Sequence, residues 1–197
     1  MPDLSDRGVT KADMRSGVLA RRRSLPAATL AAAAGSVVVA LDHLVRRTAP
    51  HRICAYVPIG REPGGPSLPE ALAAALPPGG ELLLPVLRDD LDLDWARYAG
   101  ALVAAERGLR EPPGPRLGVA AVGDADLVVV PAVAVDRRGL RLGRGGGSYD
   151  RALARVSSGV PTVALLHDGE LVDRVPADAH DRRVTAVITP ADGLVWI

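Results

Sequence analysis

The sequence predicts an α/β fold on a parallel or mixed sheet. Apolar runs of strand type alternate with helix-like segments along the chain. Two runs, Asp126-Leu-Val-Val-Val-Pro131 and Val160–Leu166, are almost wholly apolar, as suits a strand buried on both faces. At 197 residues, 48% of them apolar, the chain has the length and the apolar content for one domain with a sizeable core.

Residues 1–9 read as a flexible tail, leaving 10–197 as a single domain. Thr10–Arg23 is a helix, with Thr10 as its cap and Met14, Val18 and Leu19 at helical spacing. Ser24-Leu25-Pro26 breaks it, and Pro26 suits the first position of a second helix that ends near Arg47. Ile53–Val57 is a short strand followed by the loop IGREPGGPS. A helix follows over Leu68–Leu76, then the break PPGG, then a strand over Glu81–Leu87. Arg88–Arg110 is polar and mixed and carries no clear period; EPPGP closes it. After Asp126–Pro131 and Val133–Val135 comes a glycine loop, a helix from Ser148 or Tyr149 to Val156, the strand Val160–Leu166 and a last strand over Val184–Pro190.

Composition excludes several functions. A net charge of +1 and 3% aromatics argue against a nucleic-acid binder, which needs positive charge and stacking platforms. The single cysteine, Cys54, rules out an internal disulfide and is expected to be a buried apolar residue. His43, His51, His167 and His180 lack the spacing of a zinc site. Arg21-Arg22-Arg23 before the uncharged run Ser24–Leu41 has the outline of a twin-arginine leader. Pro26, Thr29, Gly35 and Ser36 interrupt that run, and it continues into Asp42–Arg47 as one helix, so neither membrane nor export is expected. The cytoplasm is the default compartment.

The informative segment is Arg141-Leu142-Gly143-Arg144-Gly145-Gly146-Gly147-Ser148-Tyr149-Asp150-Arg151. Glycines this dense are costly unless the backbone takes positive φ or comes very close to something. A glycine loop that opens a helix presents free N–H groups to an anion, and guanidinium groups match phosphate oxygens in pairs. Asp150 can cap the helix or hold Mg²⁺ beside phosphates. The loop is neither a P-loop nor a dinucleotide fingerprint, and GGGSYD is not a serine-nucleophile elbow. On residue chemistry alone it reads either as a phosphate cradle or as a tight turn with a solvated arginine face.

The stretch DLVVVPAVAVDRRGLRLGRGGGSYDRAL, Asp126 to Leu153, resembles the 5-formyltetrahydrofolate cyclo-ligase (5,10-methenyltetrahydrofolate synthetase) family, whose loop runs G-x-R-L-G-x-G-x-G-[YF]-Y-D-R. Lys11-Ala-Asp-Met-Arg15 resembles its N-terminal K-x-x-x-R. Tyr56–Glu62, Gly108–Pro112 and the segment from Leu165 to Pro190 resemble further family pieces in order. The resemblance implies a three-layer α/β/α fold related to the sugar-phosphate isomerase and CoA transferase-like folds. It implies ATP- and Mg²⁺-dependent cyclisation of 5-formyltetrahydrofolate to 5,10-methenyltetrahydrofolate, with ADP and phosphate released. The ATP site it implies is Lys11, Arg15, Arg141, Leu142, Gly143, Arg144, Gly145, Gly146, Gly147, Ser148 and Tyr149. Arg144 would be the catalytic residue. Val57, Glu62 and Arg144–Ser148 would face the folate, and Asp150 and Asp181 would hold Mg²⁺. The partner implied is a reduced folate, with no nucleic acid and no membrane, in a monomer or weak dimer.

Four positions depart from the family pattern. Ser148 stands where an aromatic is usual, Ala132 where Gly is, and Val135 where Phe is. Glu62-Pro63-Gly64-Gly65 lacks the usual Thr. Ser148 and the Glu62 loop bear on the folate side, and they motivate two rival readings: a non-catalytic folate- or nucleotide-binding paralogue, or an ATP-dependent enzyme for a different N-formyl substrate. Trp95 and Tyr98 are expected to pack locally rather than to touch a pterin or purine.

Overall fold

The computed structural model describes residues 10–176 and 181–197; the expected tail lies outside them. Helix α1 (Lys11–Ser24) opens on a capping box, in which the Thr10 hydroxyl accepts the Asp13 N–H and the Asp13 carboxylate accepts the Thr10 N–H. Helix α2 (Ala27–Thr48) follows almost at once, with Pro26 as its cap rather than its first residue, and it ends on Ala49 at φ 44°. The chain continues through β1 (Arg52–Cys54), α3 (Leu68–Ala75), β2 (Glu81–Leu87), β3 (Leu93–Arg97), β4 (Val103–Ala104) and β5 (Arg110–Glu111). Then come β6 (Leu127–Pro131), β7 (Ala134–Asp136), β8 (Arg141–Leu142), α4 (Ser148–Leu153), β9 (Thr162–Leu165), β10 (Leu171–Val172), β11 (Ala186–Thr189) and β12 (Gly193–Trp196).

The main sheet has seven strands in the order β12-β11-β9-β6-β1-β2-β3. Its inner pairs are parallel, and the edge strands β3 and β12 run antiparallel to their neighbours. Side chains alternate across it as the pleat requires. Ile53, Leu82, Leu84, Leu127, Val129, Val163, Leu165 and Ile188 face a core shared with α2 and α3. Cys54, Leu83, Val128, Val130, Ala164 and Val187 face a second core with α4 and the 3-10 segment Val119–Asp124. Two cores on opposite faces make the three layers. Trp95 is fully buried in the second core and Cys54 in its strand, so both are packing residues.

Val133–Val135 does not extend the main sheet. It leads into a small sheet, β10-β7-β8, that packs on Met14, Val18 and Leu19 of α1. The tie that seats α1 is buried. Arg22, 3% exposed, donates to both carboxylate oxygens of the fully buried Glu170 at 2.8 and 2.7 Å, and to the Ala132 carbonyl at 2.7 Å. The arginine run that has the outline of a leader thus contains a structural residue. Helix α2 is long and apolar enough to cross a membrane by length and composition, with a mean hydropathy of 1.7. Its C-terminal half instead packs Val37, Leu41, Leu44 and Val45 into the first core.

Candidate active site

The carboxyl ends of β1, β2 and β6 open into one cleft, where ligands of open α/β sheets bind. Its volume is about 390 Å³, within the ordinary range of ligand sites. Tyr56 and Val57 follow β1, Pro131–Val133 leave β6, and Pro85 and Leu87 end β2. Lys11 and Arg15 of α1, Glu62, the segment Arg141–Asp150, Asp181 and the β4–β5 hairpin complete the lining.

The glycine loop needs its glycines. Gly145 has φ 107° and Gly147 φ 68°, the left-handed region where other residues are strained. A Cβ on Gly143 would sit 2.8 Å from the Arg141 guanidinium. Arg15 donates through Nε to the Gly143 carbonyl at 2.9 Å, so α1 holds the loop directly. Arg151 donates to the Gly146 carbonyl at 3.3 Å and to the Leu91 carbonyl at 2.6 Å, clamping the loop to the β2–β3 turn.

Cations and carboxylates pair across the cleft. Lys11 Nζ lies 2.6 Å from Asp181 Oδ2. Arg141, 3% exposed at its side chain, donates to Asp150 Oδ1 at 2.9 Å and to the Pro131 carbonyl at 3.2 Å. Arg144 is half exposed, with Nε 3.1 Å from Glu62 Oε1. The Glu62 loop is held separately. The Tyr56 hydroxyl donates to the Pro63 carbonyl at 2.6 Å, and the Ile59 N–H donates to Glu62 Oε2 at 2.9 Å. Burial pushes the Glu62 carboxyl above its ordinary value, against the Ile59 N–H and the charges of Arg144 and Arg22. Burial also raises the Tyr149 phenol, with the Glu62 charge adding to it and Arg141 opposing.

Comparison with known proteins decides what the cleft belongs to. Residues 7–190 match the model of the 5-formyltetrahydrofolate cyclo-ligase family. The 5-formyltetrahydrofolate cyclo-ligase of Mycolicibacterium smegmatis is 44% identical over 192 residues, covering 94% of this chain and 96% of that protein. The chain belongs to the 5-formyltetrahydrofolate cyclo-ligase family. The Escherichia coli K12 protein of the same name is 39% identical over 72 residues, 36% of this chain and 40% of that one. The NMR structure of Aquifex aeolicus 5,10-methenyltetrahydrofolate synthetase superposes with a TM-score of 0.77 at 29% identity, covering 94% and 92% of the two chains. The Mycoplasma pneumoniae synthetase shares the fold at a TM-score of 0.70 and 18% identity, covering 90% and 96%.

Every site residue expected from the sequence lines this one cleft: Lys11, Arg15, Val57, Glu62, Arg141 through Asp150, and Asp181. Residues 11 and 181 are brought within 2.6 Å from opposite ends of the cyclo-ligase chain. Sequence reasoning missed the apolar wall of Pro85, Leu87, Leu93 and Leu109, and the neighbouring Arg110 and Glu111. Only the G-x-x-E-P likeness touched it. No group of three or more His, Cys, Asp or Glu able to hold a metal occurs among the described residues. Asp150 and Asp181 do fit a Mg²⁺ that reaches the site with phosphates, since that ion takes one or two carboxylates and fills its shell with phosphate oxygens and water. The Glu62-Pro63-Gly64-Gly65 departure has a packing reason: Gly65 has φ 69°, and a Cβ there would lie 2.9 Å from Ala34 Cβ of α2.

Proposed function

We propose that this cleft cyclises 5-formyltetrahydrofolate to 5,10-methenyltetrahydrofolate with ATP, releasing ADP and phosphate. Membership of the family makes the chain an enzyme, a 5-formyltetrahydrofolate cyclo-ligase. The residue roles, Mg²⁺ as the ion, the cytoplasm as the compartment, residues 10–197 as one domain and a monomer or weak dimer as the working form are our reading. The observation that carries the residue roles is the convergence in one cleft of the glycine loop, Lys11, Arg15 and Arg144 with the Glu62 side.

The chemical problem is that a formamide oxygen is a poor leaving group. Lys11, Arg15 and the loop N–H groups bind the ATP phosphates. Transfer of the γ-phosphoryl group to the formyl oxygen gives an N5-iminium phosphate and ADP. N10 then attacks the activated carbon and gives up its proton to solvent, the ring closes, and the formyl oxygen departs in phosphate. Such a step needs positioning and charge neutralisation more than an acid or base. Arg144 supplies charge at the transferred phosphoryl group, and Glu62 orients the pterin through hydrogen bonds to ring N–H groups. Asp150 and Asp181 would hold Mg²⁺, which neutralises phosphate charge when bound. N10 and the activated carbon belong to one bound molecule, so proximity favours ring closure.

The test is purified protein with 5-formyltetrahydrofolate, ATP and Mg²⁺, followed by near-ultraviolet absorbance and phosphate release. Methenyltetrahydrofolate and phosphate formed in equal amounts support the reading. A folded protein that binds both ligands without turnover would overturn it in favour of a binding role. Turnover with another N-formyl compound alone would move the substrate.

A further inference from the structure

We propose that Arg110 is the counter-ion for the glutamate carboxylates of the substrate and sets the preference among folate forms; this rests on the cyclo-ligase reading of the cleft. The other cleft cations have partners. Lys11 is on Asp181, Arg141 on Asp150, Arg144 on Glu62, and Arg15 on the Gly143 carbonyl. Arg110 is exposed in the cleft lining, and its hydrogen bond is a long one, 3.4 Å to the Pro66 carbonyl. It makes no ion pair within 4 Å among the described residues. The nearby phenol of Tyr98 feels its charge, and the Tyr98 hydroxyl donates to Glu70 Oε1 at 2.9 Å.

The arginine is exposed but its backbone is fixed. Arg110 pairs with Ala104 across the β4–β5 hairpin, and the next residue, Glu111, accepts the Leu87 N–H at 2.9 Å. Pro85, Leu87, Leu93 and Leu109 line the wall beside it. The cleft lining holds the three kinds of surface a reduced folate needs: the glycine loop, apolar side chains and a guanidinium. The formyl group on N5 must meet the phosphates at the glycine loop. The benzoyl ring needs an apolar surface. The glutamate carboxylates must emerge away from the phosphates, because like charges repel. For them the cleft lining offers the Arg110 guanidinium, which matches a carboxylate in paired hydrogen bonds.

The experiment is calorimetric titration, with turnover in parallel, of wild type, Arg110→Ala, Arg110→Glu and Arg110→Lys. The ligands are 5-formyltetrahydropteroate, which lacks glutamate, and the mono- and pentaglutamate forms of 5-formyltetrahydrofolate. The readout is the affinity for a glutamate-bearing form relative to the glutamate-free one. We expect that ratio to fall about fivefold in Arg110→Ala, the size of a partly exposed charge-assisted contact. It falls further in Arg110→Glu, recovers in part in Arg110→Lys, and shrinks in wild type as salt rises. An unchanged ratio in Arg110→Ala overturns the proposal, whether affinity for all three ligands drops together or none changes. Binding decides this even if wild type turns over none of them, a result that would fault the functional reading and not the assignment of Arg110.

Discussion

On the wall of the cleft that we assign to the phosphates, the polar side chains hold each other and the backbone: Arg15 on Gly143, Arg141 on Asp150 and Pro131, Arg151 on Gly146 and Leu91. On the wall that we assign to the folate, Glu62 pairs with Arg144, and beside the apolar side chains stand Glu111, which accepts the Leu87 N–H, and Arg110, which makes no ion pair within 4 Å among the described residues. The first wall is tied by ion pairs and hydrogen bonds to α1 and to the small sheet. The second is shaped by backbone fit, with Tyr56 on Pro63 and Gly65 against Ala34. Charge chemistry and shape recognition are thus divided between the walls, and they should fail in different ways.

The largest effect is expected where the phosphate wall is seated. Arg22→Ala leaves the Glu170 carboxylate buried without its partner, which costs about 3–5 kcal/mol. Urea unfolding will read this as a lower midpoint, together with a weaker apparent affinity for ATP as α1 loosens. Next, Arg144→Ala removes charge at the transferred phosphoryl group and should lower kcat about 10²–10³-fold. It also takes the charge partner from the buried Glu62, so the melting temperature should fall, but less than in Arg22→Ala, because the Arg144 guanidinium is half exposed and the Ile59 N–H stays on Glu62. A fall in stability equal to that of Arg22→Ala would erase the distinction between anchor and catalyst.

A smaller effect probes the folate wall's dependence on shape. Gly65→Ala meets both φ 69° and the Ala34 Cβ, and should cost about 1–3 kcal/mol. It should raise KM for the folate more than KM for ATP; the reverse split would mean that the Glu62 loop serves the nucleotide.

The smallest effects separate the walls by the sign of their pH dependence. Asp136, on the small sheet beneath α1, is fully buried. Burial works to raise its pKa, but the Arg138 side chain and the N–H groups of Val175, Leu140 and Arg138 outweigh that and hold it below 3.8. Its stabilisation is present above pH 3.8 and is lost as pH falls through the lower folded value; Asp136→Asn should remove that acid-labile part. Glu62 is the opposite case. Burial raises it from 4.5, so the folded state binds more protons and stability falls as pH rises from 4.5 through the folded value. Glu62→Gln should flatten that slope. Thermal unfolding across pH 3–7 checks both, and slopes of the same sign would contradict the contrast.

The same division explains what the sequence disclosed. The phosphate wall was legible because one contiguous run, Arg141–Asp150, supplies most of it, and glycines at positive φ cannot be replaced cheaply. The buried parallel strands were legible from their continuous apolar runs. The other wall was not, because Leu93, Leu109 and Arg110 come from Arg88–Arg110, where β3 is a short edge strand and β4 and β5 form a separate two-stranded hairpin. Such strands alternate too briefly to show a period. Strand β12 escaped for the same reason, following a tight turn after Pro190. The Arg22–Glu170 pair joins residues 148 apart and leaves no local signal at all.

The measurement that tests the central claim most directly follows the formyl oxygen. With 5-formyltetrahydrofolate labelled with heavy oxygen in its formyl group, phosphoryl transfer predicts that the label appears in inorganic phosphate, one atom per methenyltetrahydrofolate formed. Label released as water, with unlabelled phosphate, would contradict activation of that oxygen by ATP at the glycine loop.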